Sequence, residues 1–154
     1  MDAPERRDAY GSAVAGTFQR AMTRLHARVY RATGGRVGGR LGGLDRVLLT
    51  TRGRTSGKPR TVPLVGIRHQ GTILLVGSNG GSDTEPAWLR NLRVEPRVEL
   101  QDRGSRRWMR ARVATTQERA MLWEVVCRVN PTYRRYQQRT SRAIAVVVCE
   151  PVLP

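Results

Sequence analysis

Residues 46–65 read Arg-Val-Leu-Leu-Thr-Thr-Arg-Gly-Arg-Thr-Ser-Gly-Lys-Pro-Arg-Thr-Val-Pro-Leu-Val. The run at 46–51 and the stretch from 60 to 68 have the β-branched composition of strands, and the turn-rich residues 52–59 join them. Pro63 falls inside the second strand. Proline donates nothing to a ladder, so its place is an edge or a bulge. An edge interrupted in this way leaves backbone groups free for the polar rim of a flat heterocycle. An ordinary edge strand with nothing bound is the plainer alternative.

Further along, a Gln70-Gly71 turn leads into a third strand at 72–78, which suggests a hairpin. Residues 86–94 form a short helix with proline at its start and with Trp88 and Leu92 on one face. Alternation predicts strands at 97–101, with Val98 and Leu100 inward, and at 107–114, with Met109, Ala111 and Val113 inward. Thr115-Thr116-Gln117-Glu118 is a capping box opening a helix whose buried face is Met121, Leu122, Val125, Val126 and Val129. Asn130-Pro131 caps and starts another short helix to about residue 139. The apolar run 143–149 is a strand buried on both faces. Strands dominate and no βαβ repeat occurs. The fold class is therefore mainly β with peripheral helices (α+β), a closed or half-closed barrel.

Upstream, residues 1–13 are expected to be a disordered tail. Within 14–43, Val14, Phe18, Met22, Leu25 and Val29 share one helical face, with Arg20, Arg24 and Arg31 opposite and Arg28 at the boundary. This basic amphipathic helix either packs on the domain or rests on an anionic membrane surface. The glycines of 34–43 lack the preceding strand and following helix of a dinucleotide site, so they read as a linker. Residues 44–154 then form the barrel domain.

The chain has 154 residues, enough for one real core, and a formal net charge of +16. Such charge implies an anionic partner: a phosphorylated cofactor, an acidic membrane or nucleic acid. No stretch reaches membrane-spanning length and no signal-peptide core precedes a cleavage site, so the expected location is cytoplasmic. Cys127 and Cys149 read as buried free thiols, and the lone His26 and His69 offer no metal site.

The densest chemistry lies at 50–60. Its glycines let backbone amides approach a ligand, and its arginines match phosphate or carboxylate with a planar fork. It is one spacer short of a nucleoside-triphosphatase loop and is followed by a strand, which argues against a triphosphatase. Ser78-Asn79-Gly80-Gly81 makes a second close-approach turn. Trp88 and Asn91 offer a flat wall and an amide. Tyr133 and Tyr136 share a face, either for packing or for proton donation near a redox ring. No hydrolytic triad, paired carboxylate or thiolate nucleophile is present in the pattern, so an enzyme here would rely on a bound cofactor.

Taken in order, residues 48–64 (LLTTRGRTSGKPRTVPL), 78–81 (SNGG), 86–98 (PAWLRNLRVEPRV) and 130–149 (NPTYRRYQQRTSRAIAVVVC) resemble the deazaflavin-dependent nitroreductase family. The resemblance covers most of residues 20–152. It implies a split β-barrel of the FMN-binding-protein-like type and coenzyme F-420, an 8-hydroxy-5-deazaflavin, with FMN the lesser alternative. By the same analogy Arg54, Thr55, Ser56, Lys58 and Arg60 grip the phosphate and acidic tail. Thr61, Val62, Pro63, Leu64 and Val65 line the ring, as do Val76, Gly77, Ser78 and Asn79. Ala87, Trp88, Leu89, Arg90 and Asn91 complete the cofactor site, and Tyr133 and Tyr136 are the catalytic candidates. The chain departs from the family at the acidic Ser82-Asp83-Thr84-Glu85, which would weaken anion binding, and at Leu89-Arg90, where Arg90 compensates.

The implied reaction is hydride transfer from reduced F-420 to a quinone, nitro compound or conjugated alkene. Competing readings are a non-catalytic lipid- or cofactor-binding protein on the same fold and a nucleic-acid-binding module. The dispersed charge and few aromatics argue against specific nucleic acid. Exposed barrel edges point to a homodimer, and the N-terminal helix to peripheral contact with the inner face of the cell membrane.

Overall fold

A computed structural model of the protein describes residues 24, 25, 27, 28, 31, 32, 40, 41 and 43–153. The expected tail at 1–13, most of the N-terminal helix and most of the glycine-rich linker lie outside them. The elements are β1 (Arg40–Leu41), β2 (Leu44–Arg52), β3 (Pro59–Val65), β4 (Ile67–His69), β5 (Thr72–Val76), α1 (Ala87–Val94), β6 (Arg97–Asp102), β7 (Ser105–Val113), α2 (Thr116–Val129), α3 (Thr132–Gln138) and β8 (Val146–Pro151). A 3₁₀ turn occupies Asn79–Gly81. Among the described residues no helix is long and apolar enough to cross a membrane.

The strands pair antiparallel in the order β1-β2-β6-β7-β8-β5-β4, with β3 on the other side of β2. The stretch expected as one strand at 60–68 is broken at Gly66. Before the break β3 pairs with β2, Leu48 facing Pro63. After it β4 pairs with β5, Ile67 facing Leu74. One bent segment therefore joins both ends of the curled sheet, and the result is a split barrel. Among the described residues β3 pairs with β2 alone, so its second edge faces no described strand, which is where a ladder tolerates Pro63.

Gly66 is required by close approach. Its N–H donates to Asp45 O at 3.1 Å, and a Cβ there would lie 2.5 Å from Val47 Cγ1.

Alternation puts Val47, Leu49, Ile73, Leu75, Val98, Leu100, Met109, Ala111, Val147 and Cys149 inside the barrel, where Trp88, Leu89 and Leu92 of α1 close its end. Val113, expected inward, is only half-buried at the rim. The outer faces of β5 and β8 are also covered. Leu74, Val76, Val146 and Val148 pack under α2 and α3 with Val126, Cys127 and Tyr133. That double burial explains the unbroken apolar run at the C-terminus.

The capping box forms as expected. Thr115 Oγ1 accepts from Glu118 N at 3.2 Å, and the Glu118 carboxylate accepts from Thr115 N at 2.8 Å. Arg112 adds a fork to the same carboxylate at 2.8 and 2.9 Å, which with the Thr115 bonds holds its pKa down at about 2. The buried stripe of α2 differs from expectation. Met121 and Val129 are 67% and 45% exposed, while Trp123 and Cys127 turn inward with Leu122 and Val126. Arg119 sets this roll. Its Nε donates to Ile144 O at 2.7 Å, and its guanidinium stacks 4.5 Å from the Trp123 ring. A cation thus belongs to the packed stripe, which apolar spacing alone does not reveal.

Pro131 stands at the N-cap position of α3 rather than inside it, and Asn130 Oδ1 accepts from Thr132 N at 3.2 Å. Cys127 and Cys149 are buried and unpaired, and burial pushes the Cys149 thiol up to about 12.

A Gly66→Ala variant is expected to lose about 1–3 kcal/mol through overpacking against Val47. Urea denaturation checks this: the midpoint falls while the slope stays constant. An unchanged midpoint would mean that the bend does not depend on the missing side chain.

Candidate functional site

Beside the open edge of β3 lies a cleft of about 1390 Å³. Its walls are β3, the arginine loop between β2 and β3, the turn after β5, the start of α1, the two tyrosines of α3 and helical residues between 24 and 31. Seven arginines line it: Arg24, Arg28, Arg31, Arg46, Arg54, Arg60 and Arg90. Glu85 is the one acid among the described lining residues, and it is paired with Arg93 at 2.8 Å.

The arginine loop is built by its own backbone. Gly53 N donates to Lys58 O and Gly57 N to Gly53 O, each at 2.8 Å. Gly57 takes φ +67°, a conformation that suits glycine. Asn91 then fastens the loop to α1. Its Oδ1 accepts from Arg54 N at 3.2 Å and from Arg54 Nη1 at 3.0 Å, and its Nδ2 donates to Thr51 Oγ1 at 3.2 Å. The amide expected to meet a ligand is instead buried and committed to placing Arg54. Ser56 Oγ accepts from Lys58 N at 3.3 Å and from Arg60 Nη2 at 3.5 Å, which leaves its own proton to donate.

The second turn is held from outside by Arg142. Its Nη1, Nη2 and Nε donate to the carbonyls of Gly77, Ser78 and Ser82 at 3.1, 2.9 and 2.8 Å. Gly81, at φ +83°, sits so close to α3 that a Cβ would lie 2.6 Å from Tyr136 O. Asp83 Oδ1 accepts from Thr140 Oγ1 at 2.7 Å. Both acids expected to weaken anion binding are therefore engaged by neighbours, and they serve to tether the turn.

Tyr133 is buried yet reaches the cleft. Burial raises its pKa, outweighing the Asn130 hydrogen bond and the positive charge of Arg46, both of which lower it. The phenol therefore keeps its proton across the neutral range. The Tyr136 ring lies 6.5 Å away, tilted by 59°.

Most of the expected cofactor residues line this cleft: Arg54, Thr55, Ser56, Arg60, all of 61–65, Val76, Ser78, Asn79, Ala87, Trp88, Arg90 and Asn91. Three do not. Lys58 is exposed on the loop's outer side, where its carbonyl closes the turn. Gly77 is buried, its N–H donating to Ala145 O at 2.9 Å, and a Cβ there would meet Leu89 at 2.9 Å. Leu89 is fully enclosed in the barrel core.

Arg46, Asn130 and the helical Arg24, Arg28 and Arg31 were missed. Apolar periodicity had placed Leu25 inward, but Leu25 is 55% exposed and Ala27 is the buried residue, against Leu48. The one available signal was the spacing of the three arginines, which puts them on a single face.

With Asn91 replaced by alanine, Arg54 loses its anchor and Thr51 a buried partner. The expected cost is about 1–3 kcal/mol of stability, together with faster hydrogen exchange at residues 53–58. Unchanged exchange there would show that the loop holds its shape unaided.

The comparisons with known proteins agree with this geometry. Residues 22–151 match the family described as F420H(2)-dependent quinone reductase. An F420H(2)-dependent quinone reductase of Mycobacterium tuberculosis is 38% identical over 131 residues, spanning 82% of this chain and 88% of that one. Among solved structures, an F420-H2 dependent reductase, FDR-A, is 36% identical with a TM-score of 0.63, covering 68% of this chain and 93% of that one. A domain-swapped dimer is 30% identical with a TM-score of 0.67, covering 91% and 98%. With its fold, its arginine-lined cleft and these relatives in accord, the chain belongs to the F420H(2)-dependent quinone reductase family.

Proposed function

We propose that the cleft binds reduced coenzyme F-420 and that the protein directs its hydride to a quinone-type acceptor, with nitro compounds and conjugated alkenes as further acceptors. The observation that carries this reading is a cleft whose described lining includes seven arginines and one acid, Glu85, itself paired, beside an edge of β3 that faces no described strand. A polyanionic cofactor with a flat ring fits such a site. Arg54 and Arg60 match its phosphate and carboxylates with charge-assisted hydrogen bonds, and the Ser56 hydroxyl adds a donor. The open edge at Thr61, Val62, Pro63, Leu64 and Val65 offers backbone groups to the polar rim of the ring. Val76, Ala87 and Trp88 supply apolar wall, and Ser78 and Asn79 bring the second turn against it.

When bound, the reduced deazaflavin supplies the hydride. The protein contributes orientation and a proton. Tyr133, kept protonated by burial, is placed to give a proton from Oη to the acceptor oxygen that gains negative charge. Arg46 and Asn130, both at the cleft, hold that phenol between charge and hydrogen bond. A homodimer is part of the same proposal, and the domain-swapped relative supports it.

Fluorescence titration with oxidised F-420, with FMN in parallel, tests the cofactor. Saturable F-420 binding is expected, weakened on the order of 100-fold by the double variant Arg54→Ala, Arg60→Ala. Binding of FMN but not F-420 would sink the reading.

For Tyr133→Phe, the expected result is a kcat for quinone reduction lowered by about 100-fold with F-420 affinity unchanged. An unaltered kcat would assign the proton to solvent.

A further inference from the structure

Arg24, Arg28 and Arg31 stand at i, i+4 and i+7 on a helical stretch and all line the cleft. Ala27, on the same face, packs against Leu48, and this fixes the roll of the helix. Arg31 Nη2 donates to Thr61 Oγ1 at 2.6 Å, and Thr61 Oγ1 in turn shares a hydrogen bond with Thr50 Oγ1 at 2.8 Å. The helix is thereby pinned to β3 beside Arg60. Leu25 points the other way, into solvent. The stretch thus borders the cleft with three solvent-accessible arginines, while Leu25 is exposed on another side.

Three stacked arginines repel one another, and Arg54 and Arg60 in the same cleft add to the repulsion. Such an arrangement is relieved by a ligand carrying several negative charges. The cleft also exceeds the roughly 300–1,000 Å³ of an ordinary small-molecule site, so there is room beyond a single ring system. Arginines one turn apart have Cβ atoms about 5–6 Å from each other, a repeat that suits carboxylates spaced along a flexible chain.

We propose that Arg24, Arg28 and Arg31 form a second anion subsite, separate from Arg54 and Arg60, which takes the outer carboxylates of the cofactor's acidic tail. The proposal rests on the reading that this cleft holds F-420. It assigns the arginine loop to the phosphate and inner part of the tail, and the helix to the far end.

The test measures dissociation constants for two ligands, F-420 with its acidic tail and the same deazaflavin phosphate with the tail removed, at low and high salt. The proteins are the wild type, a triple variant with Arg24→Gln, Arg28→Gln and Arg31→Gln, and a triple variant with lysine at the same positions. The wild type is expected to prefer the tailed ligand, and that preference should shrink with salt. The glutamine variant should lose on the order of tenfold or more toward the tailed ligand and nothing toward the trimmed one. The lysine variant should recover most of the loss. Equal wild-type affinity for both ligands, or an equal loss toward both in the glutamine variant, would overturn the subsite and leave the cofactor assignment standing. A wild type that binds neither ligand would instead overturn the cofactor assignment itself. Thermal melts check that the variants fold. Should the glutamine triple variant fail to fold, the double variant Arg24→Gln, Arg28→Gln, which keeps the Arg31–Thr61 hydrogen bond, makes the same comparison.

Discussion

The contact between Gly66 and Val47 is the constraint on which the rest of the architecture depends. Because no side chain stands at Gly66, the chain bends there and lies against β2 closely enough for Gly66 N–H to reach Asp45 O. The bend lets one segment pair with β2 before it and with β5 after it, so the sheet curls round on itself. The same bend splits the barrel beside β3 and leaves that strand one open edge. An open edge is normally a liability that invites pairing with another chain. Here Pro63 blunts it, and Arg31 reaches the edge strand at Thr61. The cleft is thus a product of topology, and the ligand site occupies the gap where the ladder stops.

What lines the cleft is held by residues that do not face a ligand. Asn91 fixes Arg54 by backbone and side chain together, so the guanidinium is placed before any anion arrives. Arg142 gathers three carbonyls of the second turn, and Asp83 ties that turn to Thr140. Hydrogen bonds from a charged donor contribute more than neutral ones, and three converging on one turn restrict it strongly. The carboxylates of Asp83 and Glu85 are already engaged by Thr140 and Arg93.

Much of this was legible in the sequence. Alternating β-branched residues marked the strands, the capping box marked the start of α2, and the two-sided burial of 146–149 followed from an unbroken apolar run. The order of motifs gave the cofactor class and most of the lining residues. What stayed hidden had specific physical causes. The break at Gly66 lies inside a run that keeps its strand composition on both sides, so only the tertiary approach to Val47 reveals it. Lys58, Gly77 and Leu89 sit among true lining residues but support them from behind, a distinction of orientation that proximity in sequence cannot express. The stripe of α2 includes a stacked arginine, which an apolar count leaves out. In the N-terminal helix Leu25 departs from its expected inward place: it is exposed, Ala27 packs on Leu48, and the solvent-accessible Arg24, Arg28 and Arg31 border the cleft.

That placement of arginines bears on the meaning of the whole charge. A net charge of +16 is by itself compatible with nucleic acid, membrane or cofactor. The placement of the acids discriminates among them. Asp45 and Asp102 are bound by Arg68, Glu118 and Glu150 by Arg112, and Glu124 by Arg134. None of these paired residues lines the cleft. Where Arg24, Arg28, Arg31, Arg54 and Arg60 converge, the one acid among the described lining residues is Glu85, and it is paired with Arg93. Inside the concave site low-dielectric walls focus the positive field of the arginines that line it. A surface meant for a duplex would spread its uncompensated cations over an exposed face to track a backbone. Concentrating them within a cleft selects a compact polyanion, and that is the physical basis for placing an acidic-tailed cofactor there.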